Sequence, residues 1–172
     1  MFLTPGQLIN ELNLKDGDKV LEVGSGSGAW TLELAKKVSP TGQIYALDIH
    51  RDMLHTLADN LSRQGILNVD IIWADIEKET KLDAYSLDGA VLANVMFQID
   101  NKEKAIANVA KTLKPDGLLL LVDWSSSFSG IGPKEDHVFD EEMAEKMLIK
   151  NNFRIVKRLP AGKYHYALMA RA

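Results

Sequence analysis

The sequence of 172 residues contains no cysteine. This absence excludes disulfides, thiolate metal sites and cysteine nucleophiles. An excess of basic residues is missing too, because 20 Lys and Arg stand against 24 Asp and Glu, for a net charge of −4. Such a balance provides no general basic field of the kind that binds nucleic acid, so no nucleic-acid partner is expected.

Long apolar segments are also absent. The longest apolar run, residues 118–122, is far too short to span a bilayer, and the first residues show no charged-then-apolar signal pattern. Hydrophobic residues still make up 46% of the chain, which is enough for a full core. We therefore expect one cytoplasmic domain over residues 1–172, without membrane insertion, as a monomer or a homodimer.

Short apolar runs alternate with helical patterns along the chain. Strands are predicted at residues 19–23, 43–48, 69–73, 87–93 and 118–122, and two more at residues 153–158 and 164–170. This alternation predicts an α/β fold: a Rossmann-like, doubly wound and mainly parallel seven-stranded sheet with helices on both faces. A turn at residues 160–162 joins the last two strands as a C-terminal antiparallel hairpin.

Local signals predict where several helices and turns begin or end. Asp52 is expected to cap the helix after the second strand, and Gly65 to stop it. Asp100 and Glu103 have the spacing of a capping box for the next long helix. Residues 115–117, with the sequence Pro-Asp-Gly, predict a turn before the fifth strand.

The most informative passage is a run of alternating glycines between the first strand and the helix that follows it. Only glycine tolerates positive φ and close backbone approach, so Gly24, Gly26 and Gly28 predict a loop on which a ligand can lie. Gly24, Gly26 and Ala29 satisfy the loose dinucleotide fingerprint, and Asp48 ends the second strand, where it is placed for a ribose hydroxyl pair. These features leave NAD and S-adenosylmethionine both open.

Two further acidic residues favour S-adenosylmethionine. Glu22 precedes the glycines inside an apolar strand, where a carboxylate would repel a pyrophosphate but suits a ligand with ammonium and sulfonium groups. Asp75 follows the third strand and can accept a hydrogen bond from an exocyclic adenine amine. Ile49 and Ile76 can enclose the adenine ring.

Five segments together resemble class I S-adenosylmethionine-dependent methyltransferases, and they follow that family's order over nearly the whole chain. They are GDKVLEVGSGSG at residues 17–28, YALDI at 45–49, ADI at 74–76, LDGAVLAN at 87–94 and LKPDGLLL at 113–120. The chain is most similar to small enzymes of the ubiquinone/menaquinone-biosynthesis (methyltransferase type 11) group, some of which carry a Gly-Pro-x-x-x-His stretch like residues 132–137. Asp116 departs from the family's glycine, and Phe97 and Gln98 stand where many relatives have histidine.

The resemblance implies in-line methyl transfer from S-adenosylmethionine to a small-molecule acceptor, leaving S-adenosylhomocysteine. It implies cofactor contacts by Glu22, Gly24, Ser25, Gly26, Gly28, Asp48, Ile49, Asp75, Ile76, Ala93 and Asn94. His137 is the best candidate for an optional general base, although an exposed loop histidine is the favoured interpretation of this residue. No metal is expected.

Acceptor contacts are predicted for Trp30, Phe97, Trp124 and Ser125, each of which packing could also explain. Phe2 is a further candidate for an apolar lid over the acceptor. Three alternatives stay open: a protein or RNA methyltransferase of the same fold, a catalytically inactive S-adenosylmethionine-binding module, and a nicotinamide-dependent oxidoreductase.

Overall fold

A computed structural model describes residues 4–128 and 130–172, so the predicted lid residue Phe2 lies outside the described residues. The strands are β1 (Lys19–Val23), β2 (Gln43–Asp48), β3 (Val69–Trp73), β4 (Leu87–Ala93), β5 (Leu113–Trp124), β6 (Arg154–Leu159) and β7 (His165–Arg171). The helices are α1 (Pro5–Glu11), α2 (Thr31–Lys37), α3 (Arg51–Gln64), α4 (Lys102–Thr112) and α5 (Glu141–Lys150). Two 3₁₀ helices, Met96–Gln98 and Glu135–His137, follow β4 and β5.

The strands of the described residues form one sheet in the order β3-β2-β1-β4-β5-β7-β6. The first five strands are parallel, and β7 runs antiparallel to both β5 and β6. The predicted α/β fold with its C-terminal hairpin is confirmed. Since the chain winds outward from β1 to β3 and then returns to β4, the loops after β1 and β4 diverge, and sheets of this kind bind ligands at such a switch point.

Strand β5 shows how both faces of the sheet are covered. Leu119 and Leu121 belong to an apolar cluster with α4 and α5, whereas Leu120 and Val122 belong to a second cluster with α1 and α2. All four side chains are fully buried. Each such side chain contributes about 1.5–3 kcal/mol, so the strands form a firm platform for the loops at their ends.

The start of β5 differs from the prediction of a turn over residues 115–117. The ladder pairs Leu87 with Leu113 and then Gly89 with Leu118, so residues between the two pairs bulge out of β5. The strand thus begins five residues earlier than predicted, because Leu113 is buried and already paired, and the turn lies within the strand as a wide bulge.

The prediction of an Asp100–Glu103 capping box is wrong. Asn101 caps α4, and its side chain accepts a hydrogen bond of 3.0 Å from the Lys104 amide. The Glu77 carboxylate accepts hydrogen bonds from the amide of Asp100 at 3.1 Å and from that of Asn101 itself at 2.9 Å, and so holds the chain at the start of the helix.

The prediction that Asp52 caps α3 is also wrong, whereas the prediction for Gly65 is confirmed. Asp52 lies in the first turn of α3, and the N-cap position belongs to His50, which makes no side-chain cap. The amide of His50 donates instead to the Asp48 carboxylate at 2.8 Å, so the end of β2 supplies the acceptor. Gly65 ends α3 in the left-handed conformation with φ of 65°.

We predict that Asp116→Gly stabilises the protein by about 0.5–1 kcal/mol, because Asp116 adopts φ of 67° and L-residues are strained there. The urea midpoint of unfolding measures the change. The matched control is Asp16→Gly, at an exposed loop position outside the left-handed region, which should leave stability unchanged or lower it. A urea midpoint lower for Asp116→Gly than for the unchanged protein would contradict the inferred backbone strain at Asp116.

Candidate functional site

A cleft of about 880 Å³ opens at the carboxyl ends of β1, β2 and β4, at the switch point of the sheet. It brings together seven of the residues predicted from the sequence: Gly24, Gly26, Asp48, Ile49, Asp75, Ile76 and Asn94. Its size and mixed polar and apolar lining are those of a small-molecule or cofactor site.

The glycine loop, residues 24–30, is tied to the neighbouring strand at its first residue. The Gly24 amide donates to the Leu47 carbonyl at 2.8 Å. A Cβ placed on Gly24 would lie 2.6 Å from Cγ2 of Val95, and one on Gly28 would lie 2.5 Å from Cδ1 of Leu57. Both positions therefore exclude larger residues because the protein's own side chains pack against them.

Gly26 is different, since no atom of residues 4–128 or 130–172 occupies the space where its side chain would be. It has φ of 52°, lines the cleft, and a Cβ there would meet no atom within 4 Å. Its amide donates to Oδ2 of Asp48 at 2.8 Å, which holds the loop open in this shape. The bare backbone at Gly26 thus leaves room in the cleft that a ligand can fill.

Asp48 is buried at the end of β2, and both of its oxygens face backbone donors. Oδ2 accepts from Gly26, and Oδ1 accepts from the His50 amide at 2.8 Å and lies 3.2 Å from Nδ1 of His50. A carboxylate has about four lone-pair positions, so this one is held rigid and retains capacity for a hydroxyl donor. It fits a ligand with hydroxyl groups.

Asp75 and two isoleucines form the far side of the cleft. Oδ1 of Asp75 accepts from the Glu77 amide at 3.0 Å, and Oδ2 lies 3.2 Å from Nζ of Lys78. Ile49 is 54% exposed and Ile76 is buried, so one isoleucine is free to cover a ligand while the other forms the wall. An acid beside apolar surfaces fits a flat ring that carries an amine.

The side chain of Asn94 carries a buried hydrogen-bond acceptor at the end of β4. Asn94 follows β4 with φ of 55°, and its amide donates to the Val122 carbonyl at 2.9 Å. Its Oδ1 and the Oγ of Ser25 are buried and have no hydrogen-bond partner among residues 4–128 and 130–172. Buried polar atoms without partners cost free energy, which a polar ligand would recover.

Glu22 lies beneath the glycine loop and does not line the cleft. It is 2% exposed, and Oγ1 of Thr31 donates to its Oε2 at 2.5 Å. Burial raises the pKa of Glu22 to about 8, against the lowering effect of the Thr31 hydrogen bond, and the nearby Asp48 charge raises it further. The side chain is therefore mostly protonated at neutral pH and supports the loop from below. The predicted cofactor residues Ser25, Gly28 and Ala93 do not line the cleft either.

The predicted acceptor residues Trp30 and Phe97 do not line the cleft. Trp30 is buried in the apolar cluster that joins α1 and α2 to the sheet. Phe97 lies in the 3₁₀ helix after β4 and is partly exposed. Their contact with an acceptor stays a prediction.

Trp124, Ser125 and His137 belong to the end of β5 and the loop after it, outside the cleft lining. The Trp124 ring lies 4.3 Å from that of His165, and Oγ of Ser125 donates to the Tyr164 carbonyl at 3.1 Å. His137 is exposed at the end of a 3₁₀ helix. A role of these residues with an acceptor, and of His137 as base, stays a prediction.

Asp123 is a buried acid at the strand ends that the sequence reasoning missed. It is fully buried in β5; Oδ2 accepts from the amides of Met96 at 2.9 Å and Phe97 at 3.4 Å, and Oδ1 from that of Trp124 at 2.8 Å. The available signal was a single acid in an apolar strand, the same signal that singled out the acid of β1. His50, which lines the cleft beside Asp48, was missed as well.

Within residues 4–128 and 130–172, no group of three or more His, Asp or Glu side chains is placed to hold a metal ion. In the same part of the chain, no helix combines the length and the apolar character that crossing a bilayer requires.

We predict that stability falls as pH rises from about 6 to 8, and that Glu22→Gln abolishes this fall. The pKa of Glu22 is raised to about 8 in the folded protein, above the unfolded value of 4.5, so the folded state binds the extra proton in this range. One proton changes the free energy of unfolding by at most about 1.4 kcal/mol per pH unit. The range begins at about 6 because burial is the main cause that raises the pKa of Asp123 to about 6, so titration of Asp123 changes the stability at lower pH.

Urea unfolding at several pH values measures this slope. The exposed Glu79 supplies the control, since Glu79→Gln should keep the slope of the unchanged protein. An identical slope in Glu22→Gln and in the unchanged protein would contradict the claim that Glu22 is protonated in the folded protein.

Comparison with known proteins identifies the family. A family model described as a methyltransferase domain matches residues 14–169. The ubiquinone/menaquinone biosynthesis C-methyltransferase UbiE of Stutzerimonas stutzeri is 34% identical over 112 residues, 64% of this chain and 43% of that protein. UbiE of Pseudomonas fluorescens is 31% identical over 70% of this chain and 47% of its own length. The chain thus spans less than half the length of these curated relatives.

Solved structures agree with these matches. A SAM-dependent methyltransferase from Aquifex aeolicus superimposes with a TM-score of 0.91 at 25% identity, over 99% of this chain and 90% of that one. The [4+2]-cyclase SpnF superimposes with a TM-score of 0.83 at 17% identity, over 96% and 79%, and so shows the shared fold alone. The resemblance seen in the sequence is confirmed, and the chain belongs to the methyltransferase-domain family, as a class I member similar to the UbiE group.

Proposed function

We propose that this chain binds S-adenosylmethionine in the cleft and transfers its methyl group to a small-molecule acceptor. The observation that carries the proposal is the open space at Gly26, beside the rigid carboxylate of Asp48. Gly26 combines positive φ, open space and a place in the cleft lining, so a ligand can lie directly against its backbone.

Each polar group of the cleft fits one part of this cofactor. Asp48 is suited to the ribose hydroxyls, because its carboxylate is fixed by the Gly26 and His50 amides. Asp75 is suited to the adenine amine, with Ile49 and Ile76 against the ring. These contacts bind and orient the cofactor.

The opposite end of the cofactor carries a charged ammonium group. Asn94 and Ser25 hold the buried oxygen atoms that lack partners in the described part of the chain, and we assign them to this polar end. Glu22 acts from beneath the loop, through its hydrogen bond with Thr31, rather than from the surface of the cleft.

The cofactor, when bound, supplies a methyl group already activated on a sulfonium, so the protein has to align it and exclude water. The buried ends of β1 and β4, at Val23 and Ala93, keep solvent from the floor of the cleft. A base is needed only for an acceptor that arrives protonated, and His137 remains the candidate for that role.

A small-molecule acceptor is favoured over a protein or nucleic acid. The curated relatives are named as C-methyltransferases of ubiquinone/menaquinone biosynthesis. The net charge of −4 gives no attraction to nucleic acid, and we place the protein in the cytoplasm.

Calorimetry with S-adenosylmethionine, S-adenosylhomocysteine and NAD tests the proposal. We expect both adenosyl compounds to bind and NAD to bind far more weakly, whereas preference for NAD would indicate an oxidoreductase. Formation of S-adenosylhomocysteine with a panel of phenols, amines, thiols and quinone precursors then separates an enzyme from an inactive binding module.

We predict that Gly26→Ala weakens S-adenosylhomocysteine binding by about tenfold or more, because the new methyl group occupies the space the cofactor needs. Gly65→Ala is the matched control: Gly65 also has positive φ and open space, but it ends α3 and does not line the cleft. Both variants should lose about 1 kcal/mol of stability, since each puts alanine at positive φ. Equal affinities for the two variants would contradict the placement of the cofactor.

A further inference from the structure

Asp123 is joined to the cleft through the β4 loop, residues 94–101. Its carboxylate accepts hydrogen bonds from the first two amides of the 3₁₀ helix in this loop, those of Met96 and Phe97, and from the amide of Trp124 in its own strand. One side chain therefore fastens the β4 loop to the end of β5.

The fastened loop reaches the glycine loop at Val95. This residue directly precedes Met96, lines the cleft, and packs so closely on Gly24 that a Cβ there would lie 2.6 Å from its Cγ2. Asn94 and Gln98, on either side, also line the cleft. A shift of the Met96 amide would thus move three residues that face the ligand space.

A charged group at this place costs stability. Burial raises the pKa of Asp123 to about 6, while the three amides and the charge of Lys102 lower it. The group is mostly ionised at neutral pH in a wholly buried setting, where an apolar residue would be less costly. Its hydrogen bonds define the position of a loop at an energetic cost, which is typical of residues that serve a site.

We propose that Asp123 is a positioning residue for the cofactor: it fixes the β4 loop so that Val95 closes against Gly24 and shapes the cleft. The inference rests on the proposed function, because the cleft is taken to hold S-adenosylmethionine. Asp123 touches neither cofactor nor acceptor in this scheme and acts through Val95.

The test uses Asp123→Asn, which keeps the shape of the side chain but replaces one acceptor oxygen with a donor. Thr112→Val is the matched control, since Thr112 is buried and its Oγ1 donates to the Val109 carbonyl at 2.7 Å, next to the amino end of β5 and away from Asp123 near its carboxyl end. Hydrogen exchange without cofactor should show faster exchange of the Met96 and Phe97 amides in Asp123→Asn alone. Unchanged exchange of these amides would overturn the proposal.

Calorimetry with S-adenosylhomocysteine supplies the second measurement. We expect Asp123→Asn to bind about tenfold more weakly and Thr112→Val to bind within about twofold of the unchanged protein. Faster exchange with unchanged affinity would mean that the loop does not position the cofactor, and would overturn the proposal. If the unchanged protein binds no adenosyl compound, the proposed function fails, while hydrogen exchange still decides whether Asp123 holds the loop.

A double-mutant cycle separates positioning from general loss of stability. If Asp123 acts through Val95, the double variant with Asp123→Asn and Val95→Ala should bind no more than about twofold more weakly than the weaker single variant. If the loss of affinity in the double variant equals the product of the two single losses, the proposal is overturned. Should Asp123→Asn fail to fold, Asp123→Glu retains the charge and replaces it in all measurements; failure of both to fold would show that Asp123 serves the whole fold, against the proposal.

Discussion

The contact between Gly24 and Val95 is the constraint on which the cleft depends. It joins the loops that leave the sheet on either side of the switch point, and it leaves no room for a Cβ. Gly24 is held from the other side by the Leu47 carbonyl of β2. The ends of β1, β2 and β4 are thus joined by one side-chain packing contact and one backbone hydrogen bond, and the side chains of neighbouring residues face the cleft.

Three buried acidic residues lie in β1, β2 and β5, beside this contact, and they differ in the hydrogen bonds that they accept. Asp48 and Asp123 accept backbone amides, so they give fixed positions to the glycine loop and the β4 loop. Glu22 accepts a hydrogen bond from the Thr31 hydroxyl, and burial leaves it mostly protonated at neutral pH, with its pKa raised to about 8. Burial raises the pKa of both Asp123 and Glu22, but hydrogen bonds from three amides lower the pKa of Asp123, which is raised only to about 6, whereas the pKa of Glu22, which is lowered by one hydroxyl donor, is raised to about 8.

The sequence predicted the sheet and the residues of the cleft that follow directly from strand ends, such as Gly26, Asp48 and Asp75, because parallel strands place their carboxyl ends together. It did not predict that Glu22 lies below the loop, since that depends on where α2 begins and on the hydroxyl of Thr31. Asn101 rather than Asp100 caps α4, and the carboxylate of Glu77, which is distant in sequence, accepts hydrogen bonds from the amides of both residues. Contacts made across the fold, rather than local patterns, account for these differences.

The fold by itself does not determine the reaction, since a [4+2]-cyclase shares it at a TM-score of 0.83. The proposed function therefore rests on the chemistry of the cleft: bare backbone at Gly26, a fixed carboxylate at Asp48, and a buried oxygen at Asn94 that has no donor in the described part of the chain. An adenosyl compound bound as we propose would use all three features. Contacts of the residues after β5 with the acceptor stay a prediction. In the proposed function, the sulfonium already activates the methyl group, so alignment by the strand-end loops is the main contribution of the protein to transfer.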